Sequence, residues 1–388
     1  MKKNGLIYFD NAATSYPKPS ATLEACKYFT NKVGANPGRS GHRLSVEAGR
    51  IAYDARASVA ELFNIEDPLQ IIFTYNATYA INMALLGLLN PGDHVITSSI
   101  EHNSIARPLR YLEGQGVELT RVSVDSKTCQ VDPGDFKRAI KPNTKLIAIL
   151  HGSNVTGAIL PITEIGKIAR GNDVLFLVDS AQTAGAYPID VESMNIDLLA
   201  FTGHKSLFGM QGTGGLYVRE GVNVRPLIRG GTGSKSEEDI QPNFMPDRLE
   251  SGTPNTPGLA ALAEGVKFVL TEGILKIRSH EEGLIKQLVD GLSAIDGVNL
   301  VGDMTLDCRL PVVSFNVKGL LPSEVGQILD EKYDIMVRVG IHCAPWAHQT
   351  MDTYPKGTIR TSLSYLNESD EVERFLNAVN EISKKRRT

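Results

Sequence analysis

Cysteine is scarce in this chain, and its spacing excludes two kinds of protein. The four cysteines among 388 residues show no CxxC pair or other metal-ligand spacing, and they are Cys26, Cys129, Cys308 and Cys343. A disulfide framework and a structural zinc site both need closely patterned cysteines. We therefore expect no metal site, and this cysteine usage favours the reducing environment of the cytoplasm.

Long apolar runs and an excess of one charge are also missing. No segment approaches the roughly 20 apolar residues that a membrane-spanning helix needs. Lys2 and Lys3 are not followed by the apolar stretch of a secretory signal. The formal net charge is −4, so no strong positive field attracts nucleic acid or an anionic membrane. We expect neither as a partner.

The hydrophobic content, 42% of 388 residues, is enough for substantial cores, and the length suggests two domains. From residue 70 onward, short apolar segments alternate with amphipathic ones, which predicts strands at 71–74, 94–98, 118–124, 145–150, 174–178, 198–201 and 215–218. Helices are predicted at 20–31, 46–63 and 79–89, and between the later strands. Continuous apolar strands alternating with helices are typical of a doubly wound, mostly parallel α/β sheet.

The pattern changes after Pro257. A long helical stretch is predicted at about 258–295, followed by strands at 298–301 and 312–317, a helix at 323–332, a strand at 358–365 and a last helix from 369. This order predicts a smaller α+β domain. We therefore divide the chain into an N-terminal segment (1–19), a large domain (20–256) and a small domain (257–388).

Polar side chains follow several of the predicted strands at their carboxyl ends, where a doubly wound sheet binds its ligands. Asp179 follows the strand at 174–178, and Gln182 comes shortly after it. A buried aspartate needs a cation or several hydrogen-bond donors. Asp179 is therefore suited to pair with a cationic ring nitrogen, or simply to cap the next helix.

Lys205 follows the strand at 198–201 and precedes a glycine-rich loop. Partial removal of water lowers the pKa of a lysine and favours the neutral amine, which condenses with aldehydes. Thr202 and His204 beside it are suited to contact an anion. Taken alone, Lys205 also fits an ordinary surface lysine in a hairpin loop.

Three further strand ends carry polar residues. Thr78 lies at a helix start, whose free N–H groups attract anions, His102 is suited to stack on a planar ring or relay a proton, and Asn154 offers an amide. The ordinary alternatives are a helix cap by Asn76, a loop histidine and a plain turn. Together, a lysine, a carboxylate, a stacking ring and a phosphate site match the needs of pyridoxal phosphate.

Eight motifs along the chain carry a resemblance to a known family. They are FDNAAT at 9–14, NPGRSGH at 36–42, EHNS at 101–104, HGSNVTG at 151–157, VDSAQ at 178–182, TGHK at 202–205, SGTPNTP at 251–257 and RVGIHCAP at 338–345. The chain resembles the class V, fold-type I pyridoxal-phosphate enzymes from end to end, and within them the cysteine desulfurases of the Suf-like group. The resemblance implies a large cofactor-binding domain, a smaller C-terminal domain and a homodimer.

The resemblance also implies roles around the cofactor ring. Lys205 is expected to bond the aldehyde, Asp179 to pair with the ring nitrogen and Gln182 to bond the ring hydroxyl. His102 is expected to stack on the ring and take part in catalysis, and Asn154 to lie near the ring hydroxyl and the substrate.

The cofactor phosphate is expected to bind at Ala77, Thr78, Thr202 and His204. The family often has two threonines at this helix start, and Ala77 replaces one of them here, so phosphate binding is expected to be weaker or differently shared. Thr253 of the SGTPN loop is expected to reach the phosphate of the neighbouring subunit.

On the substrate side, the resemblance assigns Arg360, Ala13 and His42 besides Asn154. Arg360 resembles the arginine that binds the substrate α-carboxylate, a task that suits its bidentate geometry. Without the resemblance, a sheet-surface arginine would be the simpler interpretation.

Cys343 resembles the loop cysteine that forms a persulfide, and its alternative is a buried structural cysteine. Basic neighbours and the His342 ring are expected to lower its pKa. The implied reaction converts L-cysteine to L-alanine and a persulfide on Cys343, whose sulfur passes to an acceptor protein for cofactor and iron–sulfur cluster synthesis. Selenocysteine lyase, a class V aminotransferase or epimerase, and a scaffold without cofactor are the alternatives.

Overall fold

The computed structural model describes residues 5–38, 40–305 and 309–385. Four residues of the motifs and patterns above lie outside these described residues, namely Lys2, Lys3, Arg39 and Cys308. Within the described ranges, no helix is long and apolar enough to cross a membrane.

The elements up to residue 218 alternate between strands and helices. In chain order they are β1 (Ile7–Tyr8), α1 (Ser20–Tyr28), a π-helical turn (Phe29–Val33), α2 (Arg43–Phe63), a 3₁₀ turn (Pro68–Gln70), β2 (Ile71–Thr74), α3 (Ala77–Leu88), β3 (His94–Ser98), α4 (Asn103–Glu113), β4 (Glu118–Val122), α5 (Pro133–Ala139), β5 (Thr144–Leu150), α6 (Ile162–Gly171), β6 (Leu175–Asp179), β7 (Leu198–Thr202) and β8 (Gly214–Val218).

The remaining elements are two long helices followed by short strands and further helices. They are α7 (Thr256–Glu272), α8 (Ile274–Ser293), β9 (Val298–Val301), β10 (Val312–Val317), α9 (Pro322–Tyr333), β11 (Ile335–Met336), β12 (Arg338–Gly340), α10 (Pro345–Thr350), β13 (Thr358–Ser362) and α11 (Ser369–Lys385). All predicted strands are present, although β4 ends at residue 122 and not at 124, and β13 ends at residue 362 and not at 365.

The large sheet has the strand order β2-β8-β7-β6-β5-β3-β4. Neighbouring strands from β7 to β4 are parallel, whereas β8 is antiparallel to both β7 and β2. The prediction of a mostly parallel, doubly wound sheet is therefore confirmed. The exception, β8, follows β7 after a short loop, and a parallel pair would have required a longer crossover.

The central strands bury side chains on both faces of the large sheet, which is why each of them is a continuous apolar run in the sequence. Ile147 and Phe176 belong to the core on one face of the large sheet, and Leu146 and Leu177 belong to the core on the other. Successive side chains in a strand point to opposite faces. Because helices cover both faces, both sets of side chains must be apolar.

The helical stretch predicted at 258–295 is present as two helices, α7 and α8, which meet at Gly273. This residue has φ = +81°, a conformation that glycine adopts readily because it has no Cβ. The chain therefore turns between Glu272 and Ile274, although the apolar pattern continues across the break.

A second, antiparallel sheet has the order β12-β13-β10-β9, and β1 pairs with β11 in parallel. Ile7 and Phe9 pack with Phe315 and Phe375 in one core. The first residues of the chain therefore pack against the last third. The domain limits at 19/20 and 256/257 stay predictions.

Candidate active site

A cavity of about 290 Å³ opens beyond the carboxyl ends of β3, β5, β6 and β7. The strand order changes direction between β3 and β5, which is where doubly wound sheets bind ligands. His102, Asn154, Asp179, Gln182 and Lys205, which follow these four strands in the sequence, all line the cavity. The sheet thus brings together the residues that were predicted from separate strand ends.

Asp179 lies at the end of β6 with a relative exposure of 5%. Its Oδ1 accepts the backbone N–H of Ala181 at 2.9 Å, and its Oδ2 accepts the hydroxyl of Ser104 at 3.0 Å. Burial raises the pKa of Asp179, while these hydrogen bonds and the nearby Lys205 oppose the rise. Both carboxylate oxygens are held in place, and Lys205 supplies the opposite charge.

His102 is the N-cap residue of α4, and its Nδ1 accepts the backbone N–H of Ser104 at 3.0 Å. Burial lowers the pKa of His102 to about 3, and the charges of Lys205 and Arg338 add to this effect. The ring is therefore neutral near pH 7. Because Nδ1 is an acceptor, the ring proton belongs on Nε2.

Lys205 is half-buried at the cavity wall. Burial lowers its pKa to about 8, and the nearby Asp179 carboxylate only partly opposes this shift. The prediction of a desolvated lysine with a lowered pKa is confirmed. A substantial fraction of the side chain is therefore a neutral amine at mildly alkaline pH.

The cavity wall near the start of α3 carries Ala77 and Thr78, with Thr202 and His204 also lining the cavity. Asn76 caps α3, since its side chain accepts the N–H of Tyr79 at 2.9 Å. The capping interpretation is thus correct, and Thr78 lines the cavity as well.

Four buried polar atoms of the cavity residues lack a hydrogen-bond partner among the described residues. They are Oγ1 of Thr202, Nδ1 of His204, Oδ1 of Asn154 and Nε of Arg360. Buried polar atoms are normally satisfied, so unpartnered ones at a cavity indicate a polar ligand. Together with the helix start, the lysine and the carboxylate, they fit pyridoxal phosphate in charge and hydrogen-bonding capacity.

Arg360 is fully buried on β13, which contradicts the alternative of a sheet-surface arginine. Its Nη1 donates to the carbonyl of Asn154 at 3.2 Å, and its Nη2 donates to Oδ1 of Asp10 at 2.5 Å. Ala13 lines the same cavity. Gln182, which also lines the cavity, donates to the carbonyl of Ala12 at 3.1 Å.

Cys343 is exposed, so the alternative of a buried structural cysteine is wrong. Its Sγ accepts from Nη2 of Arg338 at 3.4 Å, and Arg338 itself lines the cavity. His342 and Cys343 have φ values of 50° and 58°, which are uncommon for residues other than glycine. This turn leaves the thiol at the surface, next to a guanidinium that faces the cavity.

His342 does not supply the positive charge that we expected beside Cys343. The ring is buried, and its Nε2 lies 3.0 Å from the Thr358 hydroxyl. Burial and the nearby Arg360 lower the pKa of His342 to about 2. The ring is neutral, and Arg338 provides the cation.

Three predicted site residues do not line this cavity of the single chain, and the exposed Cys343 is one of them. His42 is exposed and caps α2, its Nδ1 accepting the N–H of Ser45 at 3.3 Å. Thr253 is exposed and lines a second cavity of about 380 Å³, where its hydroxyl accepts from Nδ2 of Asn36 at 3.4 Å. Their expected contacts with substrate and with a second subunit's phosphate stay predictions.

Sequence reasoning missed Asp10, Glu101, Ser104 and Arg338. Glu101 is fully buried, with Oε1 accepting from Ser98 at 2.5 Å, and burial raises its pKa to about 8. All four lie inside motifs that were recognised as FDNAAT, EHNS and RVGIHCAP. The motifs were therefore the available signal. Asp10 and Ser104 have partners far along the chain, Arg360 and Asp179, whereas Glu101 and Arg338 also have local ones, Ser98 and Cys343.

A profile described as aminotransferase class-V matches residues 7–375. The chain belongs to the class-V aminotransferase family. A probable cysteine desulfurase of Pyrococcus abyssi is 37% identical over 99% of this chain and 96% of its own length. A probable cysteine desulfurase of Methanothermobacter thermautotrophicus is 34% identical over 97% of this chain and 94% of its own.

Solved structures agree with these relatives. The apo structure of a cysteine desulfurase from Thermococcus onnurineus has a TM-score of 0.92 and 36% identity, covering 98% of this chain and 96% of that one. The chain therefore lies in the cysteine desulfurase branch of the class-V family, whose members depend on pyridoxal phosphate.

Proposed function

We propose that this chain is a pyridoxal-phosphate-dependent cysteine desulfurase that converts L-cysteine to L-alanine and leaves a persulfide on Cys343. One observation carries the proposal. A single cavity holds Lys205 with its lowered pKa, the buried Asp179 and Arg360, and it connects to the exposed Cys343 through Arg338.

Two groups of cavity residues suit the two ends of the cofactor. We assign the ring to Lys205, Asp179, Gln182, His102 and Asn154. The phosphate is assigned to the start of α3 at Ala77 and Thr78, and to the unpartnered polar atoms of Thr202 and His204. When bound, pyridoxal phosphate withdraws electrons from the α-carbon of an amino acid, which makes its α-proton acidic.

Arg360 binds the substrate α-carboxylate, because three of its five N–H groups remain after those donated to Asn154 and Asp10. Ala13 lies beside the substrate. Lys205 removes the α-proton as a neutral amine, for which a pKa of about 8 is suitable. His102 is assigned to stack on the cofactor ring, and as a neutral imidazole it has one hydrogen-bond donor, the N–H at Nε2.

The Cys343 thiolate then attacks the sulfur of cysteine. An S–S bond forms while the substrate C–S bond breaks, and the electron pair of that bond stays on the substrate carbon, which takes up a proton and becomes the methyl group of alanine. Nη2 of Arg338 contacts the Cys343 sulfur at 3.4 Å and holds it beside the cavity that Arg338 lines. The reaction needs no external oxidant, since the substrate carbon is reduced as its sulfur is oxidised.

The surface position of Cys343 is suited to sulfur transfer to an acceptor protein in the cytoplasm, for cofactor and cluster synthesis. We also propose a homodimer in which the SGTPN loop with Thr253, together with His42, approaches the neighbouring subunit's cavity. Their exposure in the single chain supports this assignment.

The test is production of alanine and sulfide from L-cysteine by the cofactor-loaded protein, with and without dithiothreitol. With the reductant, both products should accumulate over many turnovers. Without the reductant, alanine formation should slow after about one equivalent per site, because the persulfide on Cys343 is not discharged. Cys26→Ala, at a half-buried cysteine of α1, is the control that should behave like the unchanged protein. Absence of both products would contradict the proposal.

A further inference from the structure

Asp10 holds the Arg360 guanidinium from a backbone position that is itself well fixed. The N–H of Ser362, on β13, donates to the carbonyl of Phe9 at 2.8 Å, and the N–H of Asn11 donates to the carbonyl of Ser362 at 3.2 Å. Asp10 therefore lies between two backbone hydrogen bonds to the strand that carries Arg360. Its Oδ1 accepts from Nη2 of Arg360 at 2.5 Å.

Arg360 needs this carboxylate because of its surroundings. The side chain has no exposure to solvent, and the register of β12 and β13 places Arg338 directly opposite Arg360. A buried cation facing a like charge is costly unless an anion pairs with it. Asp10, with 21% side-chain exposure, provides that anion while no substrate is bound.

The same contacts determine which part of the guanidinium is left for a ligand. Nη1 donates to Asn154 and Nη2 to Asp10, whereas Nε is buried and has no hydrogen-bond partner among the described residues. A carboxylate binds a guanidinium best through two parallel N–H groups, which requires a fixed plane. Two anchors at different nitrogens determine that plane.

We propose that Asp10 is a positioning residue for recognition of the substrate α-carboxylate, acting through Arg360. The inference rests on the carboxylate-binding role of Arg360 in the proposed function. Asp10 does not touch the substrate, so its removal should affect ligands that carry an α-carboxylate and leave others almost unchanged.

The test compares binding of L-alanine with binding of L-alaninamide, followed by the absorbance of the cofactor in the loaded protein. Asp10→Ala should weaken L-alanine binding by roughly tenfold and change L-alaninamide binding little. Asp10→Asn keeps a hydrogen-bond acceptor but loses the charge, so it should also weaken L-alanine binding, but by less than Asp10→Ala does. It also keeps the test valid if Asp10→Ala folds poorly.

Two further measurements complete the design. In an Arg360→Ala background, Asp10→Ala should add no further loss for L-alanine, because coupled residues are non-additive. Asp54→Asn, in an exposed ion pair with Arg50, is the matched control and should leave both ligands unaffected. The inference would be overturned if Asp10→Ala weakened the binding of both ligands equally, or if it left L-alanine binding unchanged or made it tighter. It would also be overturned if the losses from Asp10→Ala and Arg360→Ala were additive. The desulfuration assay on the unchanged protein tests the proposed function separately.

Discussion

The Lys18 ammonium donates to the backbone carbonyl of His204, the residue before Lys205, at 2.6 Å. The same carbonyl accepts from the Thr14 hydroxyl at 3.0 Å and the Ser15 N–H at 3.1 Å. The Ser15 hydroxyl donates to the carbonyl of Lys205 at 2.8 Å. The N-terminal segment therefore holds the backbone that carries the central lysine of the cavity.

Replacing Lys18 with methionine should loosen this backbone while the other donors keep it near its position. Lys18 donates two hydrogen bonds, to the carbonyl of His204 and to the Ser15 hydroxyl. We therefore expect the free energy of unfolding to fall by about 2 kcal/mol, at about 1 kcal/mol for each hydrogen bond, and turnover of cysteine to fall. Urea unfolding and steady-state kinetics measure the two effects. Lys32→Met, at an exposed lysine, is the control. Unchanged turnover in Lys18→Met would show that this contact does not position Lys205.

Lys205 should be the residue that bonds the cofactor. The loaded protein should be yellow, and borohydride reduction followed by peptide mapping should find the pyridoxyl group on the peptide that contains Lys205. Lys205→Ala should lose the label. A pyridoxyl group on Lys18, whose pKa burial also lowers to about 8, would refute the assignment most directly.

Replacing Asp179 with alanine removes the carboxylate that shares the cavity with Lys205 and interacts with it electrostatically. We expect turnover to fall by on the order of a hundredfold, and much more than cofactor occupancy, because the charge opposite the ring tunes its electronics. Absorbance measures occupancy, and alanine formation measures turnover. Ser104→Ala, which removes only one hydrogen bond to this carboxylate, should have a smaller effect. Near-normal turnover of loaded Asp179→Ala would contradict the role.

Stability of the cofactor-free protein should rise as the pH increases from about 8 toward the ordinary lysine value of 10.5. The pKa of Lys205 is about 8 in the folded protein, so over this window the unfolded chain binds more protons than the folded one. The free energy of unfolding therefore increases with pH. Urea midpoints at several pH values measure the slope, which Lys205→Met should reduce. A slope that is the same in both proteins would show that Lys205 is not responsible.

Cys343→Ala should separate sulfur chemistry from selenium chemistry. A C–S bond needs a nucleophile at sulfur, whereas the weaker C–Se bond and the more acidic selenol permit loss of selenium without covalent help. We expect alanine formation from cysteine to be abolished and much of that from selenocysteine to remain. Lys205→Ala should lose both. Full cysteine activity in Cys343→Ala would favour an aminotransferase-like reaction in which this thiol is incidental.

The parts of the site that sequence predicted are those determined by strand position. Asp179 and Lys205 each follow a continuous apolar strand, and parallel strands deliver their carboxyl ends to one edge of a sheet. Their burial, and hence the lowered pKa of Lys205, could be expected from that position alone. The shared edge explains why separate motifs converged on one cavity.

Pairings over long separations could not be predicted in this way. Arg360 and Asp10 are 350 positions apart, and Lys18 and His204 are 186 apart. Nothing local in the sequence encodes these contacts, because each depends on how β13 or the β7–β8 loop packs against the N-terminal segment. The same is true of His342, whose neutral state follows from burial that its neighbours in sequence do not reveal.

The sequence by itself determined the parallel α/β sheet, the polar residues at its strand ends and the family, because apolar periodicity and motif spacing are local properties. Only the tertiary structure decided that Arg360 is buried and paired with Asp10, that Arg338 lies beside the exposed Cys343, and that the helical region after residue 258 breaks at Gly273. Charge pairing and burial depend on which distant segments meet, and that is settled by packing.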